Sequence, residues 1–170
     1  NATDNQAATD YDKKWIPGQW KVPEAYDNPA SNDPWYFSTI REANYFLETV
    51  VPRFEKGEIE GSETNIKHYI GEMYFLRAKN YLSKLETFGD FPIIKNTLPD
   101  ESESLIQASK RAPRYKVAHF ILEDLDQAIS LLTNNISGGK NRITKNAALL
   151  LKSRAALFEA SWLTYHKGTA

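Results

Sequence analysis

The sequence has 170 residues, a formal net charge of −1 at pH 7 and no cysteine. This length suits a single domain with a hydrophobic core, and the balanced charge gives no electrostatic reason to expect binding to nucleic acid. The lack of cysteine excludes disulfides, thiol catalysis and thiolate metal sites.

Residues 1–33 are predicted to form a long irregular segment, because they are polar, contain several Pro and Gly, and show no lasting periodicity. Such segments are usually functional or disordered, and the aromatic residues here argue against disorder. Aromatic rings match the apolar C–H face of a sugar, and amide side chains match its hydroxyls. The candidate ligand-binding residues are Asn5, Tyr11, Trp15, Gln19 and Trp20.

The same segment allows two other interpretations. Trp15 and Trp20 could instead pin the segment to the helices, and this alternative is slightly favoured because large aromatic side chains are mostly buried. Asp4, Asp10 and Asp12 are suitable oxygen donors for Ca²⁺, but the Gly and Glu of a calcium loop do not follow them. A solvated acidic segment is preferred, so we predict neither a metal site nor a cofactor.

The rest of the chain is predicted to be all-α. Apolar residues recur at helical spacing, and residues 89–112 form a long connection in which a short extended piece could occur. No strand is expected elsewhere. The four predicted helices span about residues 34–55, 62–88, 113–133 and 145–167.

Capping residues support these limits. Asp33-Pro34 should open the first helix, and Pro52 should end or kink it. Ser62 and Gly89 should cap the two ends of the second helix. Thr144 should cap the start of the last helix.

Two of the predicted helices repeat each other. Residues 71–81 align with 148–158, so that Arg77 falls on Arg154. Small and then large apolar positions, repeated at helical spacing, are typical of stacked helix pairs. We therefore expect tetratricopeptide-like antiparallel helix pairs, with equivalent structural roles for the two arginines. Glu72 is five residues from Arg77, a poor spacing for a pair on one helix, so the partner of Arg77 should come from elsewhere.

No arrangement typical of catalysis is found. His68, His119 and His166 lack the spacing of a metal site, and no nucleophile motif is present. The carboxylates of residues 123–126 could in principle do glycosidic acid–base work, but we expect them on a solvated helix face. The chain is therefore not predicted to be an enzyme.

Five motifs follow one another along the helical part of the chain. They are IREANYFLE at residues 40–48, GEMYFLRA at 71–78, FGDFPI at 88–93, RAP with ILEDLDQA between 111 and 128, and RITKNAA with KSRAAL between 142 and 157. In this order and spacing they resemble the N-terminal portion of the SusD/RagB family of outer-membrane nutrient-binding lipoproteins. No binding motif of that family transfers residue by residue onto this chain.

The resemblance implies a tetratricopeptide-like scaffold and non-catalytic binding of nutrient oligosaccharides at the extracellular face of the outer membrane. The implied partner is a SusC-like TonB-dependent transporter, and the implied membrane attachment is a lipid anchor that this chain does not contain. We expect the chain to be a piece of a larger protein that exposes apolar side chains at one end, and that alone either self-associates or is only marginally stable. The alternative is a generic helical-repeat scaffold that clamps a peptide or protein with Asn, Lys and Arg on its concave surface.

Overall fold

A computed structural model describes residues 35–135 and 141–167. By contacts the chain divides into two units, residues 1–35 and 36–170, and all the described residues except Trp35 belong to the second. The described residues form five α-helices and no strand, which confirms the predicted all-α fold. The helices are α1 Ser38–Glu55, α2 Glu63–Phe88, α3 Ser102–Ala108, α4 Arg114–Leu131 and α5 Lys145–Tyr165.

Four of these helices stack in chain order, with α1 on α2, α2 on α4 and α4 on α5. Leu132, just past the end of α4, packs on Gly71 near the start of α2. Arg114 at the start of α4 pairs with Glu159 near the end of α5, with Nε and Oε2 2.8 Å apart. The predicted antiparallel order therefore holds for these helices, and α2 and α4 lie in the middle of the stack.

The first helix ends at Glu55, the predicted limit, with Pro52 inside it. The predicted opening at Asp33-Pro34 lies outside the described residues, and α1 begins only at Ser38. Pro52 does not end α1, because the helix continues through it to Glu55. Its missing N–H removes one hydrogen bond within the last two turns, where few further bonds depend on it.

Gly89 and Thr144 cap their helices as predicted, whereas only the predicted position of Ser62 is confirmed. Ser62 occupies the N-cap of α2, although its side chain makes no capping bond. Gly89 follows α2 with φ of 73°, a backbone conformation that favours glycine. The Thr144 side chain accepts the N–H of Ala147 at 3.3 Å and so caps α5.

Gly71 marks a close approach between α2 and the end of α4. A Cβ at this position would lie 3.0 Å from Cγ of Leu132 and 3.1 Å from Cβ of Leu131. The atoms nearest to this position are therefore side-chain atoms of the last residue of α4 and of the residue that follows it. Around this point lies an apolar cluster of Ala128, Leu132 and Ala148, with Tyr74, Phe75, Ile129 and Ile143 packed against it.

The connection between α2 and α4 is more structured than predicted. It contains the seven-residue helix α3, which makes the predicted four helices an undercount. Phe91 and Ala112 form an isolated antiparallel bridge, with N···O distances of 3.2 and 3.1 Å. Phe91 is fully buried, so the connection returns to the helix stack at both of its ends.

The outer face of α5 carries apolar side chains that no described helix covers. This confirms the prediction that one end of the stack exposes apolar residues. None of the described helices is both long and apolar enough to cross a membrane. The exposed side chains are Leu149, Leu150, Leu157, Leu163 and Tyr165.

Candidate functional site

The predicted ligand-binding residues lie outside the part of the chain that the structure describes. The acidic residues Asp4, Asp10 and Asp12, the possible oxygen donors for Ca²⁺, also lie outside it. The N-terminal sugar site therefore remains a prediction. The residues concerned are Asn5, Tyr11, Trp15, Gln19 and Trp20.

Within the described residues, a buried polar cluster centres on Arg77 of α2. Its Nε and Nη2 donate to the two carboxylate oxygens of Asp124 on α4, each at 2.8 Å. Its Nη1 donates to Oδ1 of Asn44 on α1 at 2.8 Å and to the carbonyl oxygen of Lys95 at 3.3 Å. The guanidinium therefore joins three helices and one connecting segment, and its partner comes from another helix, as predicted.

This cluster also fixes residues 93–97, here called the 93–97 segment. The Asn44 amide donates to the carbonyl oxygens of Ile94 and Asn96 at 2.9 and 3.2 Å. The Tyr81 hydroxyl accepts the N–H of Ile94 at 2.8 Å and lies 3.2 Å from its carbonyl oxygen. The irregular backbone of the segment is thus hydrogen-bonded by side chains that project from the helices.

Burial sets the electrostatics of the cluster. Burial raises the pKa of Asp124 above its ordinary value, while the hydrogen bonds and charge of Arg77 act in the opposite direction. Burial likewise raises the pKa of Tyr81 to about 12, so its hydroxyl stays protonated at neutral pH. The prediction that the carboxylates of residues 123–126 all face solvent is wrong for Asp124, which is buried.

The two repeated arginines have different environments, so their predicted equivalence is wrong. Arg77 is buried and fully bonded, whereas the Arg154 side chain is 73% exposed and lies 3.9 Å from Oε1 of Glu86. The reason is the position of the two helices in the stack. Helix α2 is covered on two sides, by α1 and α4, while α5 is covered by α4 and only marginally by α2.

On the surface next to this cluster, α1 and the 93–97 segment present a mixture of aromatic and polar side chains. Glu48 of α1 accepts hydrogen bonds from the N–H of Thr97 at 3.0 Å and from its hydroxyl at 2.6 Å. The Tyr45 ring, one turn before Glu48, is 65% exposed. Lys95 lies 4.9 Å from the ring centroid of Phe120.

A second charged group lies between α4 and α5. The Arg114 guanidinium lies 4.1 Å from the Trp162 ring centroid and 5.1 Å from that of Phe158. The His166 ring stacks on Trp162 with centroids 3.8 Å apart. Trp162 therefore has a cation against it and a second ring stacked on it, and these contacts help to hold α5 against α4.

The histidines do not come together. His68 is fully buried in α2, where its Nδ1 accepts the N–H of Thr133 at 3.2 Å. His119 and His166 are exposed on α4 and just after α5. Among the residues that the structure describes, no group of three or more His, Asp or Glu is placed to hold a metal ion.

Sequence reasoning missed Asn44 and Asp124, although a signal was present. Asp124 falls on the apolar stripe of α4, three residues after Ile121 and four before Ala128, and Asn44 lies between Ile40 and Leu47. A polar residue on a buried stripe needs a hydrogen-bonding partner. The mid-helix Arg77 was the available partner for both.

Comparison with known proteins gives a family match over most of the chain. The model of a SusD-like family, described as "Starch-binding associating with outer membrane", matches residues 1–157. No curated protein matches the chain.

Solved structures show the same fold. A SusD-like protein from Bacteroides fragilis NCTC 9343 is 30% identical, with a TM-score of 0.64 over 77% of this chain and 24% of its own. A laminarin binding SusD-like protein is 24% identical, with a TM-score of 0.58 over 70% of this chain and 24% of its own. A structure with xylogluco-oligosaccharide is also 24% identical, with a TM-score of 0.52 over 70% of this chain and 22% of its own.

The chain therefore spans about a quarter of the length of the solved structures that it matches. Asn44, Arg77 and Asp124, which build the buried cluster, all lie within the matched residues 1–157, and each lies in one of the five motifs described above. The chain belongs to the SusD-like family.

Proposed function

We propose that the chain forms the helical part of a non-catalytic protein that binds nutrient oligosaccharides at the extracellular face of the bacterial outer membrane. The observation that carries this proposal is the family match over residues 1–157, whose description names both starch binding and the outer membrane. Two proteins of the same fold support it, one named as laminarin binding and one solved with xylogluco-oligosaccharide.

Within this proposal, the N-terminal segment supplies sugar contacts. Its aromatic side chains stack on the sugar rings, and its amides bond their hydroxyls. The bound oligosaccharide is handed to a SusC-like TonB-dependent transporter, with a lipid anchor holding the binding protein beside it. The proposed contact residues are Asn5, Tyr11, Trp15, Gln19 and Trp20.

The test is isothermal titration calorimetry of the natural protein that carries this sequence, with starch, laminarin and xyloglucan oligosaccharides. We expect one glycan class to bind, and Trp15→Ala or Trp20→Ala to weaken binding about tenfold, which corresponds to about 1.4 kcal/mol. Tyr165→Ala is the control, because this exposed aromatic residue of α5 is not among the proposed contact residues. Binding of peptides without any oligosaccharide would favour the helical-repeat scaffold instead.

Two further measurements test the remaining parts of the proposal. Incubation with the bound glycan should leave its chain length unchanged by chromatography, and any hydrolysis would contradict a non-catalytic role. Purification of the natural protein from outer membranes in mild detergent should recover a TonB-dependent transporter. Recovery of the protein without one would remove the handover from the proposal.

A further inference from the structure

The 93–97 segment is held by hydrogen bonds with several helix side chains. Hydrogen bonds from Asn44, Tyr81 and Arg77 fix the carbonyl groups of Ile94, Lys95 and Asn96. Glu48 fixes the N–H and the hydroxyl of Thr97. The backbone is therefore ordered before any ligand arrives, which lowers the entropy cost of binding at this surface.

The side chains beside this fixed backbone are exposed. The Tyr45 ring is 65% exposed, and Asn96 is exposed on the segment itself. The residues on either side of Tyr45 along α1 bond the 93–97 segment, and this places Tyr45 near Asn96. Asn44, directly before Tyr45, bonds the carbonyl oxygen of Asn96 at 3.2 Å, and Glu48, three residues after Tyr45, bonds Thr97.

We infer that Tyr45 and Asn96, positioned by the bonds between Thr97 and Glu48, form a carbohydrate-contacting surface in addition to the contacts proposed for the N-terminal segment. This inference rests on the proposed function. An exposed aromatic ring offers an apolar face for a sugar ring, and the Asn96 amide offers both a donor and an acceptor for hydroxyl groups. Neither of these two side chains is charged, the nearby Glu48 carboxylate is bonded by Thr97, and Lys95 lies 3.6 Å from Glu123, so the surface suits a neutral oligosaccharide chain.

The fixed backbone also separates the roles of the side chains. Asn96 is held through its carbonyl oxygen, so its side chain is available and can be removed without loss of that bond. The only bonds that the structure shows for the Thr97 hydroxyl and N–H are those to Glu48, so Thr97 positions the segment. Tyr45 and Asn96 are therefore the side chains that would touch the sugar.

The experiment is calorimetry on the natural protein with the oligosaccharide that it binds best. Tyr45→Ala should weaken affinity about five- to tenfold, and Asn96→Ala about threefold, in line with the loss of one stacking contact and one hydrogen bond. Tyr115→Ala is the matched control, because Tyr115 is an exposed tyrosine on a different helix, α4. Its affinity should stay within twofold of wild type.

Three results overturn the inference. Unchanged affinity in Tyr45→Ala and Asn96→Ala, with strong binding by the wild type, removes this surface and leaves the proposed function in place. Failure of the wild type to bind any oligosaccharide removes both. If Tyr45→Ala binds sugar normally but recovers less of the transporter, the surface contacts a protein partner instead.

Discussion

Replacement of Arg77 by Met tests whether the buried cluster holds the helix stack together. The change keeps a long unbranched side chain but removes the guanidinium. It leaves the Asp124 carboxylate buried without its bidentate partner, and it leaves Oδ1 of Asn44 and the carbonyl oxygen of Lys95 each without one bond. Arg154→Met is the matched control, because Arg154 occupies the aligned position of the sequence repeat.

The expected magnitudes differ widely. Loss of one partner of a buried ion pair costs about 3–5 kcal/mol, and the weakened bonds to Asn44 and Lys95 add to that figure. Arg154 is 73% exposed and 3.9 Å from Glu86, and an exposed pair of this kind contributes about 0–1 kcal/mol. Arg77→Lys should lie between these values, because an ammonium keeps the charge but cannot form the bidentate pair with Asp124.

The assay is urea unfolding of each variant, followed by circular dichroism at 222 nm. With a slope of about 1–3 kcal/mol per molar urea, Arg77→Met should lower the midpoint by 1 M or more, while Arg154→Met should leave it nearly unchanged. If Arg77→Met does not fold at all, the midpoint of Arg77→Lys carries the comparison. Equal midpoints for the Arg77 and Arg154 variants would refute the reasoning.

Three other changes give distinct outcomes. Gly71→Ala should lower the melting temperature, because the new Cβ would lie 3.0 Å from Cγ of Leu132. Overpacking of this kind costs about 1–3 kcal/mol, more than the ~1 kcal/mol gained in helix propensity. An increase in the melting temperature would contradict this. Tyr81→Phe should destabilise the protein at pH 8 by about 1 kcal/mol. Because the fold raises the pKa of Tyr81 from 10.0 to about 12, the wild type should lose stability as the pH rises from 10 towards 12. The difference in stability between the wild type and Tyr81→Phe should therefore shrink. A constant difference up to pH 11 would contradict this. Sedimentation velocity should show self-association of the 170-residue chain expressed alone. The double variant Leu150→Glu with Leu157→Glu should self-associate less. A monomeric wild type would contradict the prediction that the exposed apolar face of α5 drives association.

Local signals predicted the helices well. Gly89 and Thr144 act through their own backbone and side chain, so their roles can be inferred from a few neighbouring residues. The apolar spacing of α2 and α4 is sustained over many turns, which makes the existence of these helices easy to predict. The seven residues of α3 are too few for a periodic pattern, and this helix was therefore missed.

The sequence repeat predicted the helical structure of its two segments better than it predicted the surroundings of Arg77 and Arg154. Alignment of residues 71–81 with 148–158 compares spacing along two helices, and both segments are indeed helical. It carries no information about what packs against each helix from outside. Arg77 is buried because α1 and α4 supply Asn44 and Asp124, and no described helix supplies equivalent groups to Arg154.

The candidate ligand residues could be inferred only from composition. Residues 1–33 have no periodicity, so nothing in them specifies which aromatic side chain is near which amide. The surface beside Tyr45 was missed for a related reason. The sequence gives no sign that Asn96 lies next to α1, because the two positions are joined only through the long-range bonds of Asn44 and Glu48.

The buried cluster around Arg77 does more than stabilise the helix stack. Apolar side chains of similar volume often replace buried ion pairs with little loss of stability, so Arg77 and Asp124 are not needed merely to fill the core. Apolar replacements could not bond the carbonyl oxygen of Lys95, and they could not hold Oδ1 of Asn44, the residue whose amide bonds the carbonyl oxygens of Ile94 and Asn96. The polar cluster therefore determines where the 93–97 segment runs, and through it the shape of the surface that includes Tyr45.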